Sequence, residues 1–324
     1  MVTVGVWIPC YRRWVGRAAV RSLATRAEEL GFGSLWVQDH LVAPVGDADE
    51  APVELLSSWM SPNEYGNDEF SATEYFGEEN WWLDPYAVWG FLAGVTERIE
   101  LGSAIIVLPY RHPVVQAKLL GTLDVLSDGR MLFGVGVGHV PSEFEALGVP
   151  YARRGARTDD YLRAIDALLA GGREASHRGE FVDFGTVRPL IEPASRPRPP
   201  VLIGGAGKRS VRRTVELGDG WLPAHVEPEG LAMGINYLRE QATAAGRSMP
   251  SVNVSLVWGL LEDGEAPPRS RRTFRSVEQT GALIQQYAAL GVDRLAIDVP
   301  NPDLEVTLRQ YELLAKAVDA AGTA

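Results

Sequence analysis

The apolar residues of this chain switch period again and again, and that alternation constrains the fold more than any other feature. Short β-branched runs predict strands at Thr3–Pro9, Ser34–Gln38, Ile99–Leu108, Met131–Val137, Val201–Gly204, Gly220–Pro223, Val252–Trp258 and Asp293–Val299. Between them lie windows with helical spacing: Arg17–Leu30, Pro85–Val95, Pro113–Leu126, Arg157–Leu169, Ser210–Leu217, Leu231–Ala245, Val277–Leu290 and Leu304–Ala320. In the first window Ala18, Leu23, Ala27 and Leu30 form one stripe and Gly31 stops it. His177–Pro189 reads as a hairpin. Strands that alternate with helices indicate βαβ units and a parallel sheet. Eight such units predict an α/β fold, a (β/α)8 TIM barrel, with a doubly wound open sheet as the alternative. A length of 324 residues suits one barrel domain spanning 1–324.

Charge and cysteine use narrow the function classes. The formal net charge of −11 argues against nucleic acid as a partner. Cys10 is the one cysteine, so no internal disulfide can form and a reducing, cytoplasmic setting is expected. The N-terminus lacks the features of a signal peptide, and no apolar run reaches the ~20 residues of a membrane helix. The charge is concentrated between Gly46 and Asp84, which holds eleven acids and no Lys or Arg. That stretch also carries Trp59, Tyr65, Phe70, Tyr75, Phe76, Trp81 and Trp82. Acidic disorder is poor in aromatics, so 46–84 reads as a folded insertion, a lid over the barrel mouth.

In a barrel, chemistry gathers at the C-terminal ends of the strands. Four of the five histidines fall just past predicted strand ends: His40, His112, His139 and His225. Asp39-His40 ends the run LWVQDHL. A neutral imidazole beside a carboxylate suits proton transfer; a hydrogen-bonded structural histidine is the alternative. No metal site is expected, because neither H-x-H nor H-E-x-x-H occurs and Cys10 has no partner. A serine elbow is absent as well. Phe133–His139 reads FGVGVGH; its glycines alternate, which suits close approach to one face of a strand, by a ligand or by tight barrel packing. Ile203–Ser210 reads IGGAGKRS. Leu202 and Arg209 stand where a Walker A loop needs glycine and a hydroxyl, so what remains is a glycine turn at a helix N-terminus, an anion site with Lys208 and Arg209 beside it.

Four blocks carry a more specific likeness: LWVQDHL, then Thr96–Gly138, Glu143–Leu169 and Pro199–Pro223. In order and spacing they resemble the bacterial luciferase-like family, in its coenzyme F420-dependent oxidoreductase branch. The resemblance implies a barrel that holds F420, or alternatively FMN, at its mouth. It implies that Asp39 and His40 touch the ring and that His40 exchanges a proton. A non-proline cis peptide at Ala104-Ile105 would buttress the ring. Val137 and Gly138, with His139, would line it, and Gly204, Gly205, Ala206 and Gly207 would take the cofactor phosphate. The charge of 46–84 is expected to send the cofactor's anionic tail to the other side, near Lys208, Arg209, Arg212 and Arg213. Some sugar-phosphate dehydrogenases of the family have a glutamate where His139 stands and an aromatic near Pro44. Their absence here argues against a sugar-phosphate substrate and makes His139 a second acid/base candidate. The helix Pro113–Leu126 carries Val114, Val115, Ala117, Leu119, Leu120, Leu123 and Leu126, more apolar surface than one barrel face needs, and the resemblance implies a homodimer there. The expected activity is hydride transfer between F420 and a small-molecule substrate that is neutral or cationic and bulky. An FMN monooxygenase and a cofactor-binding protein without turnover are the alternatives.

Overall fold

The computed structural model describes residues 2–43, 80–262, 264–267 and 273–322. Eight parallel strands close into a barrel: β1 (Thr3–Trp7), β2 (Ser34–Val37), β3 (Glu100–Ser103), β4 (Met131–Gly136), β5 (Val201–Gly204), β6 (Gly220–Leu222), β7 (Ser251–Val257) and β8 (Arg294–Asp298). Each strand pairs with the next, and β8 returns to β1 through Thr3↔Arg294 to Val6↔Ile297. The closed ring decides between the two expected architectures, since an open sheet has two free edges.

Strand alternation aims one set of side chains inward. Trp7, Trp36, Leu132, Leu202, Leu222 and Ala296 form this inner cluster, with Ala104 and Ile105 packed against it. Close packing explains two glycines: a Cβ at Gly5 would collide with Ser34, 2.1 Å from its Oγ and 2.4 Å from its carbonyl, and one at Gly102 would stand within 2.6–2.9 Å of the Trp36 ring. The outward faces of the strands meet the helices in the larger apolar core.

The helices follow the sequence signals, with boundaries moved by a few residues. Pro113–Leu126 runs as expected, and Arg154–Leu169 starts three residues earlier than its apolar stripe. Asp84 caps Pro85–Ala93 by accepting from Tyr86 N and Ala87 N, and Ser276 with Gln279 forms a capping box. The hairpin is present as antiparallel strands Ala175–Arg178 and Asp183–Val187, pinned by Asp160, which meets His177 Nε2 at 2.7 Å and accepts from Phe181 N and Val182 N. The predicted strand Ile99–Leu108 is broken. After Ser103 the Ala104-Ile105 peptide is cis, and Ile106–Val107 resumes beside β4. The short helix Pro141–Ala146 and the parallel pair Gly259–Leu261 with Phe274–Ser276 carry no strong periodicity. The expected lid, 46–84, lies outside the described residues except for Asn80–Asp84.

Candidate active site

The barrel mouth is built from the segments that follow β1, β2, β3 and β4. Just past β2 the chain places Asp39 and His40 side by side, yet their side chains enter different networks. Asp39 is buried and its carboxylate is gripped by Arg111, Nη1 to Oδ2 at 2.6 Å and Nη2 to Oδ1 at 2.9 Å; Val107 N also donates to Oδ2 at 3.0 Å. Arg111 reaches on to Asp84, with Nη2 2.8 Å from Oδ2. Burial pushes the Asp39 carboxyl above its ordinary value, against the pull of Arg111. This acid clamps the ends of β2 and β3 together.

The carboxylate at His40 comes from Glu143 instead. His40 Nδ1 lies 3.0 Å from Glu143 Oε2, Leu41 N donates to Oε1 at 2.6 Å, and the Tyr110 hydroxyl donates to Oε2 at 2.5 Å. Glu143 is buried; that burial opposes its charge, but the bonds from His40, Tyr110 and Leu41 outweigh it and hold its carboxyl below the usual range. The expectation that Asp39 supplies the acid beside His40 is thereby corrected. Glu143 escaped the sequence reading because it is 103 positions away, on a helix of six residues with no apolar period.

Two further rings stand against His40. Trp82 meets it edge-on with centroids 4.6 Å apart, and His139 at 5.9 Å with planes at 89°. Trp82 is delivered by the stretch that closes the acidic insertion. There Trp81 N donates to Tyr11 O, Leu83 N to Cys10 O, and the Trp81 indole to Arg12 O at 2.9 Å. Burial, then the neighbouring His40, pushes His139 down to about 4. That lowering favours the uncharged imidazole at neutral pH, a form suited to accept a proton rather than to supply one. The other strand-end histidines are placed differently. His112 caps the helix Pro113–Leu126 by accepting from Val114 N, and His225 follows β6 with φ 55°.

The alternating glycines of β4 are filled by the chain itself. A Cβ at Gly134 would collide with the Ser103 carbonyl at 1.8 Å, one at Gly136 with Ile105 at 2.6 Å, and one at Gly138 with Val107 at 2.6 Å. Tight packing is therefore their reason. Ile105 also fills the space at Gly204, with its Cγ2 2.7 Å from where a Cβ would stand. One side chain, Ile105, thus lies across the tops of β4 and β5. Val137 and Gly138 continue the wall, and the Gly138 carbonyl accepts from Arg154 Nε at 2.9 Å.

The glycine turn after β5 differs. Gly205 has φ 108°, its carbonyl is held by Ser210 Oγ at 2.6 Å and by the Trp221 indole at 2.7 Å, and Ser210 Oγ also bonds Gly207 O at 2.7 Å. These bonds fix the turn at the start of the helix Lys208–Leu217, where Gly207 is the N-cap and no side chain caps the first turn. Nothing lies within 4 Å of a Cβ built on Gly207, so the turn faces open space. Lys208 and Arg209 are exposed at its rim, whereas Arg213 is committed to Asp159 and the Gly155 carbonyl. Such a turn fits a phosphate by dipole and donor direction. No group of three or more His, Cys, Asp or Glu suited to a metal occurs among the described residues.

A parallel barrel with a His–carboxylate pair at its mouth and a glycine turn after β5 sets the chemistry-bearing groups at the C-terminal face, where barrel enzymes carry their sites. A profile of the luciferase-like monooxygenase family matches residues 15–258, and the chain belongs to that family. Its members are F420- or flavin-dependent oxidoreductases and monooxygenases. An uncharacterised Mycobacterium tuberculosis protein, Rv0953c, is 33% identical over 226 residues, 69% of this chain and 73% of its own. The fold is also that of an F420-dependent secondary alcohol dehydrogenase bound to an F420-acetone adduct, at TM-score 0.75 and 15% identity over 98% of this chain and 99% of the other. A type II Baeyer-Villiger monooxygenase constituent from Pseudomonas putida, in complex with FMN, matches at TM-score 0.72 and 15% identity over 98% of each chain.

Proposed function

We propose that this protein is an F420-dependent oxidoreductase that transfers a hydride between the deazaflavin and a neutral or cationic, bulky organic substrate. The observation that carries this reading is the imidazole of His40, held by a buried carboxylate and flanked by Trp82 and His139 at the barrel mouth. F420, when bound, supplies or accepts the hydride. The residues here do the rest. Gly204, Gly205, Ala206 and Gly207 with Lys208 would hold the phosphate, and Ile105 would support the ring. Val137, Gly138 and His139 line it, and His40 exchanges the proton that hydride transfer to or from a carbonyl requires. Asp39 acts through Arg111, by keeping the β2 and β3 ends in register.

The substrate class rests on charge. The sequence of 46–84 holds eleven acids and no Lys or Arg, a composition that disfavours anionic substrates, and the Trp82 ring stands against His40. We also propose a homodimer through Pro113–Leu126, whose Val114, Val115, Val125 and Leu126 are exposed; a monomer in light scattering at micromolar concentration contradicts it. Parallel titrations with F420 and FMN, read by tryptophan fluorescence quenching, test the cofactor. Micromolar F420 binding is expected. Tight FMN binding without F420 binding makes the protein a flavin monooxygenase, and binding without turnover of any carbonyl or alcohol panel leaves a cofactor-binding protein.

A further inference from the structure

Glu143 is met by three separate parts of the chain. Leu41 N–H reaches Oε1, while the Tyr110 hydroxyl and His40 Nδ1 reach Oε2. Its side chain is fully buried, and that of His40 is 13% exposed. A carboxylate sealed in this way and met by donors is satisfied as an anion, and as an anion it only accepts. The titration tendencies agree: the acid is held below its ordinary range, and the Tyr110 phenol is pushed well above its own by burial and then by the Glu143 charge. The tyrosine therefore keeps its proton and stays a donor.

A neutral imidazole has one N–H and one lone pair. We propose that Glu143 is a positioning residue that fixes neutral His40 in the Nδ1–H tautomer, so that Nε2 is the ring atom that takes up and returns the proton. The grip is double. Oε2 orients the ring, and Oε1 holds the backbone amide of the next residue, so neither the ring nor its loop can turn without breaking a charge-assisted bond. Asp39 cannot take this role, because Arg111 and Val107 already engage both of its oxygens. A carboxylate that sets the tautomer of a working histidine is a known physical device for making one nitrogen the base.

The role of Nε2 in proton transfer rests on the function proposed above, whereas the tautomer belongs to the protein alone and is measured without cofactor. Two-bond ¹H–¹⁵N correlation spectra of the imidazole rings of the full-length, ¹⁵N-labelled protein, recorded across a pH titration, report which nitrogen is protonated in the neutral form. His40→Gln assigns the signals. The wild type is expected to show a protonated Nδ1 and a bare Nε2. Glu143→Ala is expected to lose that preference, and to lower kcat by ~10–100-fold with little change in KM. An Nε2–H tautomer in the wild type overturns the inference, as does an unchanged Nδ1–H tautomer in a folded Glu143→Ala; if that variant does not fold, the wild-type spectrum decides. An Nδ1–H tautomer in a protein that binds neither F420 nor FMN overturns the functional reading and leaves the tautomer assignment standing.

Discussion

Asp39 and Glu143 are both buried acids at the barrel mouth, and both hold the segment that ends β2, but their partners differ in kind. Asp39 faces a guanidinium that is always charged, and it spans two strand ends. Glu143 faces an imidazole, whose proton can move, and a phenol that stays a donor, and it closes on the loop that carries His40. A carboxylate paired with Arg makes a rigid tie; one paired with His tunes proton affinity and ring orientation. The two acids therefore divide the mouth into a scaffold half and a chemical half, although the sequence sets the wrong one next to the histidine.

Removing the histidine is the largest expected perturbation on the chemical half. His40→Ala should lower turnover by ~10²–10⁴-fold, the range that a positioned acid/base supplies. Glu143 keeps Leu41 N and Tyr110 as donors, so the variant should melt close to the wild type. Steady-state kinetics together with thermal unfolding separate the two halves; full turnover in a folded His40→Ala protein would erase the distinction.

The matching change on the scaffold half should do the opposite. Asp39→Ala leaves Arg111, whose side chain is 16% exposed, with Asp84 and the face of the Tyr86 ring. Breaking a buried pair from one side costs about 3–5 kcal/mol. The lower end is expected here, because Asp84 keeps part of the charge satisfied. Urea unfolding measures the loss, and activity per folded molecule should stay within a few-fold of wild type. A collapse of kcat in a stable Asp39→Ala protein would place Asp39 in the chemical half after all.

The barrel was legible because its cause is local: each strand and helix announces itself through the period of its own apolar residues. Pro113–Leu126 and Leu304–Ala320 appear at the expected bounds for that reason. His40, His139 and the turn Gly204–Lys208 were legible because barrel geometry sends strand ends to one face. What stayed hidden has a non-local cause. Glu143 is buried by contacts across 103 positions, and no helical stripe marks its short helix. The glycines of β4 looked alike whether a ligand or a side chain approached them, and only Ile105, Val107 and the Ser103 carbonyl decide that. Arg213, grouped with the basic rim by its sequence neighbours, is drawn away by Asp159 on another helix.

The smallest expected effect is a pH signature of the chemical half. His139 is lowered to about 4 in the fold, by burial first and then by His40, against an ordinary value of 6.5. Between those values the unfolded chain binds the extra proton and the native one does not, so stability rises with pH through the window and is lost as pH falls from 6.5 toward 4. Glu143, lowered as well, adds its loss further down, below the ordinary carboxylate range. Asp39 is raised, so its slope has the opposite sign just above 3.8 and masks part of the His139 effect in the wild type. Subtracting the profile of a His139→Gln protein from that of the wild type removes the masking. The difference should change by about 1–3 kcal/mol between pH 6.5 and 4 and level off above pH 7. Chemical denaturation at stepped pH measures it. A flat difference profile would show that His139 is protonated as easily in the folded mouth as in water, and would return it to the list of acids that the reaction can use.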